Sequence, residues 1–135
     1  MTSLFGNIDI EGFYKIIFTS PILGFEDERE FILIRNSENS PFYWLQSLNT
    51  PELAFLLADP FVFFPDYKIP LETEGNIAAY VIVTVEEDFR FSTANLLAPI
   101  IIDADTNTAM QIVLEDSGYT TKHRLFNIND PVVAG

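Results

Sequence analysis

The sequence predicts an all-β fold, a small antiparallel barrel or sandwich in one domain with short turns. Three observations predict it. Apolar residues come in short runs cut by turn residues, which is a β signature. Eight or nine such runs recur at spacings of about 8–12 residues, the rhythm of small barrels and sandwiches. The clearest run, Ala78–Val85, is almost entirely β-branched over Val81, Ile82, Val83, Thr84 and Val85, and such side chains fit a pleated surface better than a helix. At 135 residues, 48% hydrophobic and 20% charged, the chain suits one domain. A core of that size buries about two thirds of the surface that the unfolded chain exposes.

The elements follow in order. Ile8 and Ile10 alternate with Asn7, Asp9 and Glu11 as in a half-buried strand. Phe13–Thr19 reads as a second strand, ended by Ser20-Pro21. Gly24–Glu28 is a turn with dense acidic residues, Phe31–Ile34 a strand, and Asn36–Pro41 a polar turn. Phe42–Gln46 is aromatic and β-prone, and Asn49–Glu52 breaks the chain again. In Leu53–Ala58, Thr50 and Pro51 would fit a helix start, but Asp59-Pro60 ends the run so soon that a strand is expected. Phe61–Phe64 reads as a strand or extended segment between Pro60 and Pro65. Lys68–Asn76 is a loop holding Pro70 and Gly75. After Ala78–Val85 comes Leu96–Ile102, where Pro99 argues for an edge or a bulge. Met110–Leu114 closes the series, and the polar chain from Glu115 on is expected to be loosely ordered. The domain is expected over residues 1–125, with a polar tail over 126–135. Trp44, Val81, Val83 and Ile101 are expected in one core.

Charge and composition exclude several function classes. Asp and Glu number 20 against 7 Lys and Arg, for a net charge of −13. A phosphate backbone or an anionic membrane surface needs clustered cations, so direct binding to nucleic acid or membrane is not expected. A basic protein partner is the natural complement. With no cysteine and one histidine, His123, neither a disulfide framework nor a thiolate or imidazole metal cluster is expected. The start Met1-Thr2-Ser3-Leu4-Phe5 lacks the basic opening of a signal peptide. The longest apolar runs have about seven residues against the roughly 20 that span a bilayer. A cytoplasmic protein is expected.

Possible chemistry is sparse. Asp103-Ala104-Asp105-Thr106-Asn107 resembles half a calcium loop, but Thr108 stands where the turn glycine belongs and Leu114 where the bidentate glutamate belongs. A polar turn is expected there. Asp59 and Asp66 could pair as general acid and base, though each can equally cap a turn beside a proline. His123 could join a triad only if its segment were held rigidly. The six glycines never cluster, so no phosphate-cradling loop is present. No cofactor and no catalytic residue are expected. An apolar ligand inside the barrel would need a cavity of about 300 Å³ or more.

Several segments together resemble the flagellar assembly factor FliW family. They are Pro21–Asp27, Ser40–Ser47, Leu53-Ala54-Phe55, Asp59–Tyr67, Thr93–Ile100 and Gln111–Leu114, spread over about residues 5–124. Their order and combination carry the resemblance; any one alone would be weak. The resemblance implies a β-rich, barrel-like cytoplasmic protein without catalytic activity. It implies two partners, flagellin and the RNA-binding translational regulator CsrA. In that family flagellin occupies the protein while it accumulates in the cytoplasm. Once flagellin is exported, the freed protein binds CsrA and relieves repression of flagellin mRNA translation. The family's longer acidic segment after Asp66-Tyr67 is reduced here to Lys68–Asn76.

Seven residues are the candidates for partner binding. Glu26, Asp27 and Glu28 form an acidic landing site for a basic partner. Phe61, Phe63 and Phe64 lie on a run that would be apolar on both faces if extended. Asn95 carries an amide that can read a partner's backbone or, alternatively, cap a turn.

Overall fold

The computed structural model describes residues 13–71 and 75–126. The alternating segment Asn7–Glu11 and the residues beyond Phe126 lie outside that range. Among the described residues nine strands form one sheet: β1 Phe13–Phe18, β2 Glu30–Arg35, β3 Phe42–Ser47, β4 Ala54–Ala58, β5 Ile77–Thr84, β6 Thr93–Ala94, β7 Ile100–Asp103, β8 Thr108–Gln111 and β9 His123–Arg124. Strands β1 to β5, then β7 and β8, pair successively in antiparallel register. Ile17↔Thr108 and Phe18↔Ala109 then join β1 to β8 and close a seven-stranded barrel.

That closing seam is parallel, in a barrel whose other pairings are antiparallel, as expected. The reason is parity. Seven strands of alternating direction leave the first and last pointing the same way, so the seam must be parallel. Strands β6 and β9 branch from the barrel, because the second half of β5 pairs with β6 and β6 with β9.

The molecule has two cores rather than one. The barrel interior is filled by Ile16, Phe18, Phe31, Leu33, Leu45, Leu57, Ile100, Ile102 and Ala109. Strand β5 is apolar on both faces. Tyr80 and Ile82 pack against the interior, while Val81 and Val83 belong to a second cluster with Ala58, Tyr67, Ala94, Leu96, Leu114 and Leu125.

Trp44 therefore departs from the expected core. Its neighbours Tyr43 and Leu45 serve the interior, so strand alternation turns Trp44 outward, 36% exposed. Ile101 is buried but belongs to neither cluster.

Three local expectations also change. Phe61–Phe64 is not a strand: Pro60–Phe63 forms a one-turn helix, α1. Asp59 caps it by accepting from the Phe61 N–H at 3.0 Å, and Pro60 stands at the first helical position, where its missing N–H costs nothing. The strand expected over Leu96–Ile102 begins only at Ile100. Pro99 precedes it, and Leu96–Pro99 form a connection from β6. The chain after Glu115 is not loose throughout, because β9 pairs with β6 and Leu125 is buried in the second core. Leu53–Ala58 does form the expected strand.

Candidate functional site

The acidic loop between β1 and β2 is built by its own backbone. Gly24 sits at φ 89°, a conformation that side chains disfavour, and its N–H donates to Glu26 Oε2 at 3.0 Å. The Phe25 N–H donates to the Ile22 carbonyl and the Glu28 N–H to the Phe25 carbonyl. Glu26 and Asp27 are exposed at the tip.

Glu28 behaves differently. Ser47 Oγ donates to its Oε1 and Thr50 Oγ1 to its Oε2, both at 2.6 Å. These bonds, Ser47 first and then Thr50, hold its carboxyl pKa below the ordinary value, against desolvation, which raises it. Glu28 thus clasps the β1–β2 loop to the turn between β3 and β4. Only Glu26 and Asp27 remain as unclasped carboxylates of the predicted trio. Asp27 lines a recess of about 270 Å³ with Arg29, Glu30, Leu48 and Asn49. The cations beside it are engaged: Arg29 Nη1 donates to the carbonyls of Phe18 and Thr19, and Lys15 pairs with Glu30 at 3.3 Å.

The phenylalanines of α1, Phe61 and Phe63, and the residue that ends it, Phe64, lie on the second core. Phe61 meets the Tyr67 ring at 5.9 Å, Phe63 meets Phe42 at 5.4 Å and Phe126 at 5.8 Å, and Phe64 meets His123 at 6.2 Å. All three are half-buried, and Val62 is the outward residue of the turn at 57% exposure. Asn95 caps a turn: its Oδ1 accepts from the N–H groups of Leu97 and Ala98, each at 3.1 Å. Among the described residues no hydrogen bond uses its side-chain NH₂. Strand β6, which leads into Asn95, pairs with β9, whose His123 meets Phe64. The structure thus gathers α1, β6 and β9 at the second core. The acidic loop belongs to a different part of the barrel, on the connection between β1 and β2.

Gln111 is a residue whose role the sequence did not disclose. Its Oε1 accepts from the Leu23 N–H at 2.9 Å, and its Nε2 donates to the Ala98 carbonyl at 3.1 Å. One amide therefore ties the acidic loop to the Asn95–Pro99 connection. No local pattern could signal this, since the two partners lie 88 and 13 residues away.

The remaining candidates for chemistry have structural duties. Asp59 is the cap of α1, and Asp66 is an exposed turn residue. His123 Nε2 accepts from the Thr120 N–H at 2.9 Å. Asp103–Asn107 is the turn between β7 and β8, where Asp103 Oδ1 accepts from the Asp105 N–H and Asn107 adopts φ 56°. A recess lined by Tyr14, Leu33, Tyr80 and Ile102 among others holds about 220 Å³. Among the described residues no helix is long and apolar enough to cross a membrane.

Known proteins similar to this chain agree with one another. A model of the FliW protein family matches residues 1–125. The flagellar assembly factor FliW of Geobacillus sp. strain WCH70 is 43% identical over 135 residues, covering 93% of this chain and 93% of that protein. The flagellar assembly factor FliW of Bacillus subtilis strain 168 is 40% identical over 132 residues, covering 90% and 92%. A crystal structure of the flagellar assembly factor FliW superposes with a TM-score of 0.79 at 39% identity, covering 93% of this chain and 95% of that one.

Proposed function

The chain belongs to the FliW family of flagellar assembly factors, and from that premise we propose that it works as a cytoplasmic partner switch between flagellin and the translational regulator CsrA. It binds flagellin while flagellin accumulates. When flagellin is exported it binds and antagonises CsrA, which relieves repression of flagellin mRNA translation. It acts by binding, without catalysis, and touches neither nucleic acid nor membrane directly.

The observation that carries this reading is the exposed acidic tip, Glu26 and Asp27, on a chain of net charge −13. An RNA-binding partner must present a basic surface to hold phosphates, and an acidic surface is its electrostatic complement. Glu28 supports the tip from behind, and Gln111 ties it to the Asn95 connection. We place the second contact at α1 and Asn95, where Val62 is exposed beside the half-buried Phe61, Phe63 and Phe64.

The test is competition. The purified chain is mixed with flagellin and with CsrA, separately and together, and co-elution and affinity are measured. Each ligand should lower the other's affinity by the same factor, because coupling is reciprocal. A ternary complex with both affinities unchanged would refute the switch.

A further inference from the structure

The seven barrel strands close on themselves, but β9 does not. Among the described residues it has a partner, β6, on one edge only. The Leu125 N–H donates to the Ser92 carbonyl at 3.3 Å. Backbone groups of a strand alternate in direction, so the N–H and carbonyl of Arg124 point away from β6 to the open edge. Open edges are where β proteins accept a partner's extended chain.

Side chains at this edge specify what would fit. His123 and Leu125 turn inward: His123 meets Phe64 at 6.2 Å and Tyr119 at 6.0 Å, and Leu125 is buried. Lys122 and Arg124 are exposed on the opposite face, where the Arg124 guanidinium lies 5.0 Å over the Phe91 ring. Arg90 lies 5.9 Å from the same ring. Arg124 and Arg90 thus lie against exposed Phe91, which belongs to the connection leading into β6, while Lys122 is exposed two residues before Arg124. Asp88 is paired with Arg90 at 2.7 Å, and with Glu86 and Glu87 it belongs to the connection leading into β6, the strand on the occupied edge of β9.

We propose that the open edge of β9 receives an extended segment of a partner protein in which carboxylates alternate with apolar residues. Strand alternation sets that pattern. One face of an added strand continues the aromatic side of Phe64, His123 and Tyr119, and the other lies beside Lys122 and Arg124. A nucleic acid is disfavoured, because the chain as a whole carries −13 and the edge offers backbone groups suited to another peptide. The proposal does not depend on the flagellin and CsrA reading.

The test uses the full chain and a labelled octapeptide alternating glutamate and valine, titrated by fluorescence anisotropy. The expected result is saturable binding that weakens by about tenfold or more in Lys122→Glu and Arg124→Glu, as for a charge placed against its complement. A lysine–valine octapeptide and a fully N-methylated glutamate–valine octapeptide should not bind. Arg124→Glu removes the contact with Phe91 and can disturb the fold. Lys122→Glu changes an exposed side chain and keeps the test decisive, as does slowed hydrogen exchange of the Arg124 amide on peptide addition. Equal binding of the lysine or methylated peptide would overturn the proposal. So would no binding of the glutamate peptide, or tighter binding of a single-stranded oligothymidine.

Discussion

The hydroxyl of Tyr67 donates a 2.7 Å hydrogen bond to the carbonyl of Leu96, 29 residues away and buried. Leu96–Pro99 leave the sheet, so their carbonyls need partners outside any ladder. All four find one. Leu96 has Tyr67, Leu97 has the Leu114 N–H, Ala98 has Gln111 Nε2 and Pro99 has the Ile112 N–H. Asn95 Oδ1 satisfies the donors of Leu97 and Ala98. The connection is irregular in conformation but bonded along its length.

Replacing Tyr67 by Phe keeps the ring and removes the donor. The buried Leu96 carbonyl is then left without its partner, at a cost of about 1–3 kcal/mol. Burial, reinforced by Tyr119 nearby, holds the hydroxyl pKa above its ordinary value, so it stays protonated as the donor through neutral pH. Urea denaturation of Tyr67→Phe should show a lower midpoint with an unchanged slope. An unchanged midpoint would show the bond to be dispensable.

Glu28 should give stability an acid-sensitive component. Its pKa is lowered in the folded state. The stabilisation is therefore complete above the ordinary carboxyl pKa and is lost as pH falls through the lowered value. Glu28→Gln should be less stable than the parent at pH 7, with the two curves converging in acid. Urea midpoints at a series of pH values check this, and a constant gap between the curves would count against it.

Phe63 and Val62 are adjacent but should answer mutation differently. Phe63 packs between Phe42 and Phe126. Because it is half-buried, Phe63→Ala should cost toward the lower end of the about 3–5 kcal/mol seen for fully buried rings. Val62 is 57% exposed, and Val62→Ala should stay within about 0.5 kcal/mol of the parent. Thermal melting separates the two. If Val62→Ala nonetheless weakens flagellin or CsrA binding, α1 belongs to the contact surface.

Association with CsrA should be steered by Glu26 and Asp27. The double change Glu26→Gln, Asp27→Asn should slow association at low ionic strength and leave the melting temperature nearly unchanged. At physiological salt, where the screening length is about 8 Å, the difference should shrink. Stopped-flow rates across a salt series measure it. Equal rates for parent and variant at low salt would place the contact elsewhere.

The existence of most strands was legible because its cause is local. Alternation and β-branched runs such as Val81–Val85 mark an extended chain wherever it ends up. The acidic tip was legible for the same reason. The helical turn α1 carried its own signals, Asp59 and Pro60, but a four-residue apolar run has too little periodicity to separate helix from strand. Other features depended on residues far apart. Whether Trp44 faces in or out is set by which face of β3 the closed barrel encloses, and several strands are apolar on both faces. Glu28 became a clasp only because Ser47 and Thr50 lie opposite, 19 and 22 residues on. Strand β9 exists because two residues find β6 across the chain, a pairing too short to leave a pattern. The sequence by itself determined strand-forming segments, charge and family. Barrel closure decided the parallel seam and the division into two cores, because these follow from strand number and from which distant surfaces meet.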